Sequence, residues 1–306
     1  MKVYRLALIA LKTAFIMFIV VPLNFSTETY LRWDDAYIEF VKSLKEFKSN
    51  ESFRKQAYKG LKDGYIDDEK FIIESTSVLC RGLLPTQNEI DIDSSLKFPL
   101  VLLPEQFVDF VTNDTPVTVV DEIVVLNKTH VIDGHHRWAG LLLCNPDRLI
   151  NIINCSNKLA QPQATLKALQ AVIYSETNTI PADNVTGPNV YEITKEELYD
   201  WIFKYTNGKE HYQLFSKHPD LMEKLLNSSD RDYKKLHRDP SDKKAYKEFF
   251  TNILCDFIWK NIQILKNESA FDKDAPSRKY MPQSDDVNWV KPFESGQVDF
   301  MQPYGK

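Results

Sequence analysis

The side chains that could do chemistry crowd into one stretch of this chain. It reads Val131-Ile132-Asp133-Gly134-His135-His136-Arg137-Trp138-Ala139-Gly140, with His130 just before it. An imidazole can donate a hydrogen bond or pass a proton near neutral pH. A guanidinium offers a planar fork that fits phosphate. Asp133 can hold Mg²⁺ or orient an imidazole. Gly134 permits the positive φ that a nest of backbone N–H groups needs. An apolar strand pattern (Glu122 to Leu126, then Val131-Ile132) leads in, and the apolar run Trp138 to Cys144 reads as a helix. Strand, glycine turn and helix start together make an anion site. The first N–H groups of a helix lack internal partners, and the helix dipole adds partial positive charge there. The competing reading takes Asp-Gly as a hairpin turn flanked by solvated His and Arg. Two adjacent His and an Arg between two apolar segments favour the anion site. In that reading the N–H groups of Gly134 to Arg137 cradle the anion and Arg137 neutralises it. One of His135 and His136 faces it, since adjacent rings diverge. His136 and Asp133 are the catalytic candidates here, with Asp133 also the candidate metal ligand. A zinc site from His130, Asp133, His135 and His136 is the weaker alternative, because the spacing matches no familiar ligand pattern.

The same residues resemble the signature of the ParB/sulfiredoxin superfamily, in which a strand enters a Gly-x-His-Arg-type turn and then a helix. Upstream, Leu84-Pro85-Thr86-Gln87-Asn88-Glu89-Ile90 sits where that superfamily has its first strand and a polar segment facing the ligand. Phe98-Pro99-Leu100-Val101-Leu102-Leu103 resembles its Pro-led apolar strand. The resemblance covers roughly residues 72–156, under a third of the chain. It implies a compact α/β (α+β) mixed-sheet domain that binds a nucleotide. ParB proteins take CTP and sulfiredoxin takes ATP, and the loop is most similar to that of free serine kinases. ATP, ADP or CTP with Mg²⁺ is therefore the expected cofactor. Phosphoryl transfer also needs a base or a metal organiser. On the resemblance, Glu89 takes that catalytic part and Gln87 joins Gly134, His135, His136 and Arg137 in holding the nucleotide.

Two departures narrow the reaction. His135 stands where sulfiredoxin carries its reactive Cys, so sulfinic-acid chemistry is not expected. No helix-turn-helix is visible after residue 160, so DNA partition is not expected either. Leu166-Lys167-Ala168-Leu169-Gln170 and Val185-Thr186-Gly187-Pro188-Asn189 resemble segments of ParB-like proteins of tailed bacteriophages. This gives the alternative of a virion or assembly protein that retains the fold. A ParB-like nuclease is the further alternative.

Composition argues against the nuclease. With 38 Lys and Arg against 43 Asp and Glu the formal net charge is −5, whereas broad DNA binding needs a basic surplus on one face. The most basic stretch, Arg231 to Lys247, also carries Asp232, Asp239 and Asp242. Cys80, Cys144, Cys155 and Cys255 have no metal-ligand spacing and read as reduced core residues. No Walker loop, GxGxxG, HExxH or GxSxG pattern is present.

The elements that must position the loop follow from periodicity. Residues 1–70 read as hydrophobic and amphipathic helices, with an apolar stripe over Trp33 to Lys48. On the resemblance, residues 71–160 are the expected nucleotide-binding domain. Its strands are predicted at Phe71 to Glu74, Phe98 to Leu103, Val117 to Leu126 and Ile150 to Cys155, with a helix at Glu105 to Val111. Residues 161–267 are helical. The spans are Gln163 to Ser175, a helix behind a capping box at Thr194, 219–227, 230–238 and 242–266. Residues 268–306 read as an extended arm studded with Trp289, Phe293, Phe300, Met301 and Tyr304. That arm could dock by aromatic anchors on a phage particle or a second copy.

Leu6 to Leu23 is nearly all apolar, and eighteen helical residues span ~27 Å, close to a bilayer core. Lys12 in its middle is costly in lipid. A helix buried against another domain or subunit is the first expectation, and a membrane segment or uncleaved signal the second. The expected location is cytoplasmic or in a virion, with membrane association through residues 6–23 as the alternative.

Overall fold

In the centre of the chain the short runs Ile123-Val124-Val125-Leu126 and Val131-Ile132 are apolar at consecutive positions, which is what strands covered on both faces require. The computed structural model describes residues 35–44, 54, 55, 57–60, 70–181, 187–226, 243–267, 275–282 and 290–298. The apolar run at residues 6–23, the helix expected at 230–238, and Trp289, Phe300, Met301 and Tyr304 lie outside these.

The sheet is mixed and five-stranded. In chain order the strands are β1 (Ile72–Leu79), β2 (Leu84–Pro85), β3 (Ile123–Leu126), β4 (His130–Asp133) and β5 (Leu149–Ser156). Across the sheet they run β1-β5-β3-β4-β2. β1 with β5 and β3 with β4 are antiparallel, while β3 with β5 and β2 with β4 are parallel. The parallel pairing of Leu84 with His130 and Pro85 with Val131 brings the Leu84–Ile90 segment alongside the strand that ends in Asp133. Asn127 and Lys128, both at positive φ, turn β3 back into β4.

The helices are α1 (Asp35–Ser43), α2 (Ile92–Leu96), α3 (Pro104–Thr112), α4 (His135–Cys144), α5 (Pro162–Thr177), α6 (Lys195–Tyr205), α7 (Gly208–Phe215), α8 (Pro219–Leu226), α9 (Lys243–Asn267) and α10 (Val290–Glu294). They cover both faces of the sheet. On one face Ile123, Val125, Val131 and Ile152 pack under α4, which in turn packs against α2 and α9. On the other face Val124, Leu126, Ile132 and Cys155 meet α5, α1, Phe71 and Phe293. The alternation of side chains along each strand thus feeds two cores from one apolar run. The expected α/β mixed-sheet class is what the chain adopts.

α4 approaches α2 so closely that a methyl group on Gly140 would sit 2.5 Å from the carbonyl oxygen of Ser95. Trp138 locks the same helix from its other side. Its indole N–H donates to the Cys80 carbonyl at 2.8 Å, and the side chain is fully buried.

Three sequence expectations are corrected. Phe98 to Leu103 is not a strand. Lys97–Leu102 forms a π-helical turn in which Leu103 N–H reaches back to the Phe98 carbonyl at 3.0 Å. A continuous apolar run does not separate a strand from buried helix, and Pro99 cannot donate to any ladder. Val117 to Glu122 adds only an isolated bridge, Val117 with Ile150. There Val120 turns to a φ of 58°, a left-handed conformation that ends any strand. α7 was not foreseen; only two residues separate it from α6. The capping box is present as read, with Thr194 and Glu197 each bonding the other's backbone.

Candidate functional site: a polar cavity at the start of α4

β4 ends at Asp133, Gly134 bridges, and α4 begins at His135. Gly134 has φ 89° and ψ 26°, so the turn is a strand-to-helix junction and not a hairpin. A Cβ on Gly134 would lie 3.0 Å from Arg137 Nη2 and 3.1 Å from Ile123 Cγ1. The first bond that closes the helix runs from Trp138 N–H to the Gly134 carbonyl at 2.9 Å. The N–H groups before it belong to the first turn and have no helical partner. Gly134→Ala forces a Cβ into the left-handed region, at a cost of roughly 1–2 kcal/mol. We expect that loss in thermal unfolding and a smaller one for Gly134→Asn, which tolerates this conformation better. Equal losses would show that the clash, and not the φ angle, dominates.

A cavity of about 220 Å³ opens at this junction, lined by Gln87, Ile132, Asp133, Gly134, His135, His136, Arg137, Arg278, Met281 and Pro282. His135 is buried, at 6% exposure. Thr86 N–H donates to its Nε2 at 3.1 Å, while the Thr86 hydroxyl donates to the Val131 carbonyl at 2.7 Å. Nε2 is therefore an acceptor, which assigns the proton of the neutral ring to Nδ1. Burial, reinforced by the neighbouring charges of His136 and Arg278, pushes His135 down to about 3. His136 is pushed down to about 4, first by burial and then by Arg278, with Asp91 opposing. Both rings are neutral at pH 7. His136 Nε2 is shielded from solvent and has no hydrogen-bond partner among the described residues. An orphaned polar atom at a polar cavity is costly, and a ligand supplying a partner would recover that cost.

The other expected residues have defined partners. Arg137 lines the cavity but is held by two carboxylates, Asp133 Oδ2 at 3.2 Å and Asp121 Oδ2 at 3.3 Å. Asp133 is engaged in that same pair. Among the described residues no three His, Cys, Asp or Glu side chains converge as metal ligands. The donor set thus does not fit a metal held by the protein through Asp133. Gln87 lines the cavity at 1% exposure, and its amide donates to the Glu89 carbonyl at 2.6 Å. Glu89 is not among the lining residues. Its carboxylate instead accepts from the Ser277 hydroxyl at 2.6 Å and the Arg278 N–H at 3.0 Å. Its expected catalytic place is therefore not in the cavity wall, and it faces a segment nearly 190 residues downstream.

Three side chains at or beside the cavity escaped the sequence. Thr86, which fixes the tautomer of His135, stood inside the segment already singled out. Asp91 was not singled out in the sequence. It accepts from Asp93 and Ser94 N–H and from Gly187 N–H at 2.8 Å, and its charge reaches His136. Arg278 had no signal at all, because nothing local relates it to residues 133–137.

A mixed sheet with helices on both faces and a strand–glycine–helix junction that builds a polar cavity define the class: an α/β protein with a candidate anion site. Beyond that class, no protein-family model matches the chain, and no curated protein or solved structure matches it.

Proposed function

We propose that the cavity binds the phosphate end of a nucleotide and that the protein is a ParB/sulfiredoxin-like nucleotide- or phosphate-binding protein. The observation that carries this is the shielded Nε2 of His136, without a partner among the described residues, beside the N–H groups of the first turn of α4, which have no partner within the helix, at a cavity lined by Gln87 and Arg278. Helix N-termini bind anions through those N–H groups and the dipole. At about 220 Å³ the cavity is smaller than the ~300–1,000 Å³ pockets that engulf whole ligands. It suits the charged end of a nucleotide, with the base and sugar left outside it.

Phosphoryl transfer or hydrolysis is the reaction that suits these residues. A general base works best with a pKa near the working pH, and His136 alone sits too low. A bound phosphate beside it favours the protonated ring and brings it back toward neutrality. There it can hold a proton for, or return one to, a reacting oxygen. Mg²⁺, where it enters, arrives on the nucleotide, and no residue step depends on it.

Calorimetry of the full chain with inorganic phosphate, ATP, ADP and CTP, with and without Mg²⁺, tests the reading. Binding is expected to weaken about tenfold in His136→Ala, the loss of one hydrogen bond to a charged group. It should weaken less in Arg137→Ala, whose charge is already balanced by Asp133 and Asp121. Absence of binding to all four probes, or binding indifferent to His136→Ala, would sink it.

A further inference from the structure

Among the donors at the start of α4, the cavity also holds an acceptor whose place is fixed. Gln87 lies in the wall and is 1% exposed. Its amide nitrogen donates to the Glu89 carbonyl at 2.6 Å. A carbonyl can only accept, so this bond assigns the two ends of the amide: nitrogen lies at Glu89 and the other atom is oxygen. Gln87 Oε1 accepts no hydrogen bond among the described residues. The amide therefore brings an acceptor with open lone pairs to a cavity built for an anion.

The chain pins this residue from both sides. Before it, Thr86 donates twice into the junction, to His135 Nε2 at 3.1 Å and to the Val131 carbonyl at 2.7 Å. After it, Asn88 N–H donates to the Pro276 carbonyl at 3.0 Å, and the Asn88 carbonyl accepts from Asn189 Nδ2 at 3.2 Å. The Pro276 segment is itself docked on its own chain. Ser277 Oγ and Arg278 N–H bond the Glu89 carboxylate, and Met281 is buried in the core under the sheet. Phe293, which reads in the sequence as an anchor for a partner, packs edge-on against Phe71 with ring centres 5.2 Å apart. A side chain on a backbone held this way meets a ligand in one geometry.

An acceptor at an anion site selects for a proton. A fully ionised oxyanion carries lone pairs only, and two acceptors in contact repel each other. An anion that keeps one O–H can meet the N–H groups of the first turn of α4 with its ionised oxygens and donate to Gln87 Oε1 with the protonated one. Inorganic phosphate keeps such an O–H across the neutral range, whereas sulfate has none there. A phosphate ester keeps its last proton only up to about pH 6. Asp133, the carboxylate in the wall, is already paired with Arg137 at 3.2 Å. We infer that Gln87 is a specificity-determining residue: the cavity takes a phosphoryl group that still bears an O–H, which donates to Gln87 Oε1, and discriminates against sulfate. The inference rests on the anion-binding reading of the cavity and adds the form of the anion and the residue that selects it.

Calorimetry of the full chain with inorganic phosphate, sulfate and ADP, at pH 6 and pH 8 and constant ionic strength, is the test. Wild type should bind phosphate about tenfold or more tighter than sulfate at both pH values, the difference between one hydrogen bond made and one acceptor left facing another. Gln87→Met keeps the length of the side chain and removes the acceptor, so the ratio should fall toward one. A merely structural Gln87 would weaken both anions alike and leave the ratio where it was. ADP distinguishes an esterified occupant from a free one. If bound, it should weaken between pH 6 and pH 8 relative to phosphate, because its terminal phosphate loses its only proton. If it does not bind while phosphate does, free phosphate is the ligand.

Equal binding of phosphate and sulfate by wild type overturns the inference and leaves the anion-binding reading standing. So does a phosphate preference that survives in Gln87→Met, or bound ADP that holds its affinity relative to phosphate from pH 6 to pH 8. Where Gln87→Met does not fold, the wild-type ratio of phosphate to sulfate decides by itself. Wild-type protein that binds none of the three probes overturns the anion-binding reading itself.

Discussion

Mild acid is expected to unfold this protein. His135 and His136 are held at about 3 and about 4, against an ordinary value of 6.5. Depressed histidines mean that the unfolded chain binds more protons than the folded one. Their contribution to stability is fully present above pH 6.5. It is lost as pH falls through 6.5 toward 4 and then 3. Each group costs up to about 1.4 kcal/mol per pH unit in that window. By pH 4.5 the pair has cost roughly 5 kcal/mol, comparable with the whole stability of many domains at about 5–15 kcal/mol. The burial that produces this has an identifiable source. Thr86 and Val131 seal His135 against β4, and the segment carrying Arg278 covers His136. Urea midpoints measured at pH 7.0 and 5.0 should fall steeply in wild type. They should change much less in His135→Gln/His136→Gln, where a Gln oxygen can still accept from Thr86 N–H. Equal acid sensitivity in that variant would move the cause to other groups.

Trp138→Ala is expected to cost most of the protein's stability. Truncating a fully buried aromatic costs about 3–5 kcal/mol. Here the change also strips the Cys80 carbonyl of its indole donor, which adds about 1–3 kcal/mol for an unsatisfied buried acceptor. Trp138→Phe keeps most of the volume and should lose chiefly the hydrogen-bond part. Equilibrium urea unfolding at pH 7 measures both, and a midpoint shift with unchanged slope would mark a loss of stability alone. A loss below about 1 kcal/mol in Trp138→Ala would mean that α4 is not anchored through Cys80 as described. The effect bears on function because α4 carries the N–H groups of the candidate site at its first turn and Trp138 in the same turn. Whatever loosens that turn also loosens the candidate site.

The local level of this molecule was legible. Asp133-Gly134 followed by His-His-Arg and an apolar run gives a strand–turn–helix junction, because glycine readily adopts the required φ and because the run Trp138 to Cys144 beyond it is long and apolar enough for a buried helix. The helices at 104–112, 162–177, 195–205, 219–226 and 243–267 were marked by Pro at the first turn, by a capping box, or by an unbroken amphipathic stripe. Phe98 to Leu103 misled, because a short apolar run has no period that separates a buried strand from a buried turn of helix. Residues 117–122 misled because β-branched residues favour strands only where a neighbouring strand is there to pair with them.

What the sequence by itself determined was the kind of chemistry and its address: histidines and a glycine turn at the start of a helix, on a sheet covered on both faces. Hydrogen bonding within a few residues and side-chain periodicity decide these features, and both are written locally. Only the tertiary structure decided how charge is shared out at that address. It paired Arg137 with Asp121 and Asp133, sealed both histidines into neutral forms, and turned Glu89 away from the cavity to clamp the segment that brings in Arg278. Those outcomes depend on which groups become neighbours and on how much water is excluded from between them. Residues 89 and 278 meet only because the chain folds back across its own sheet.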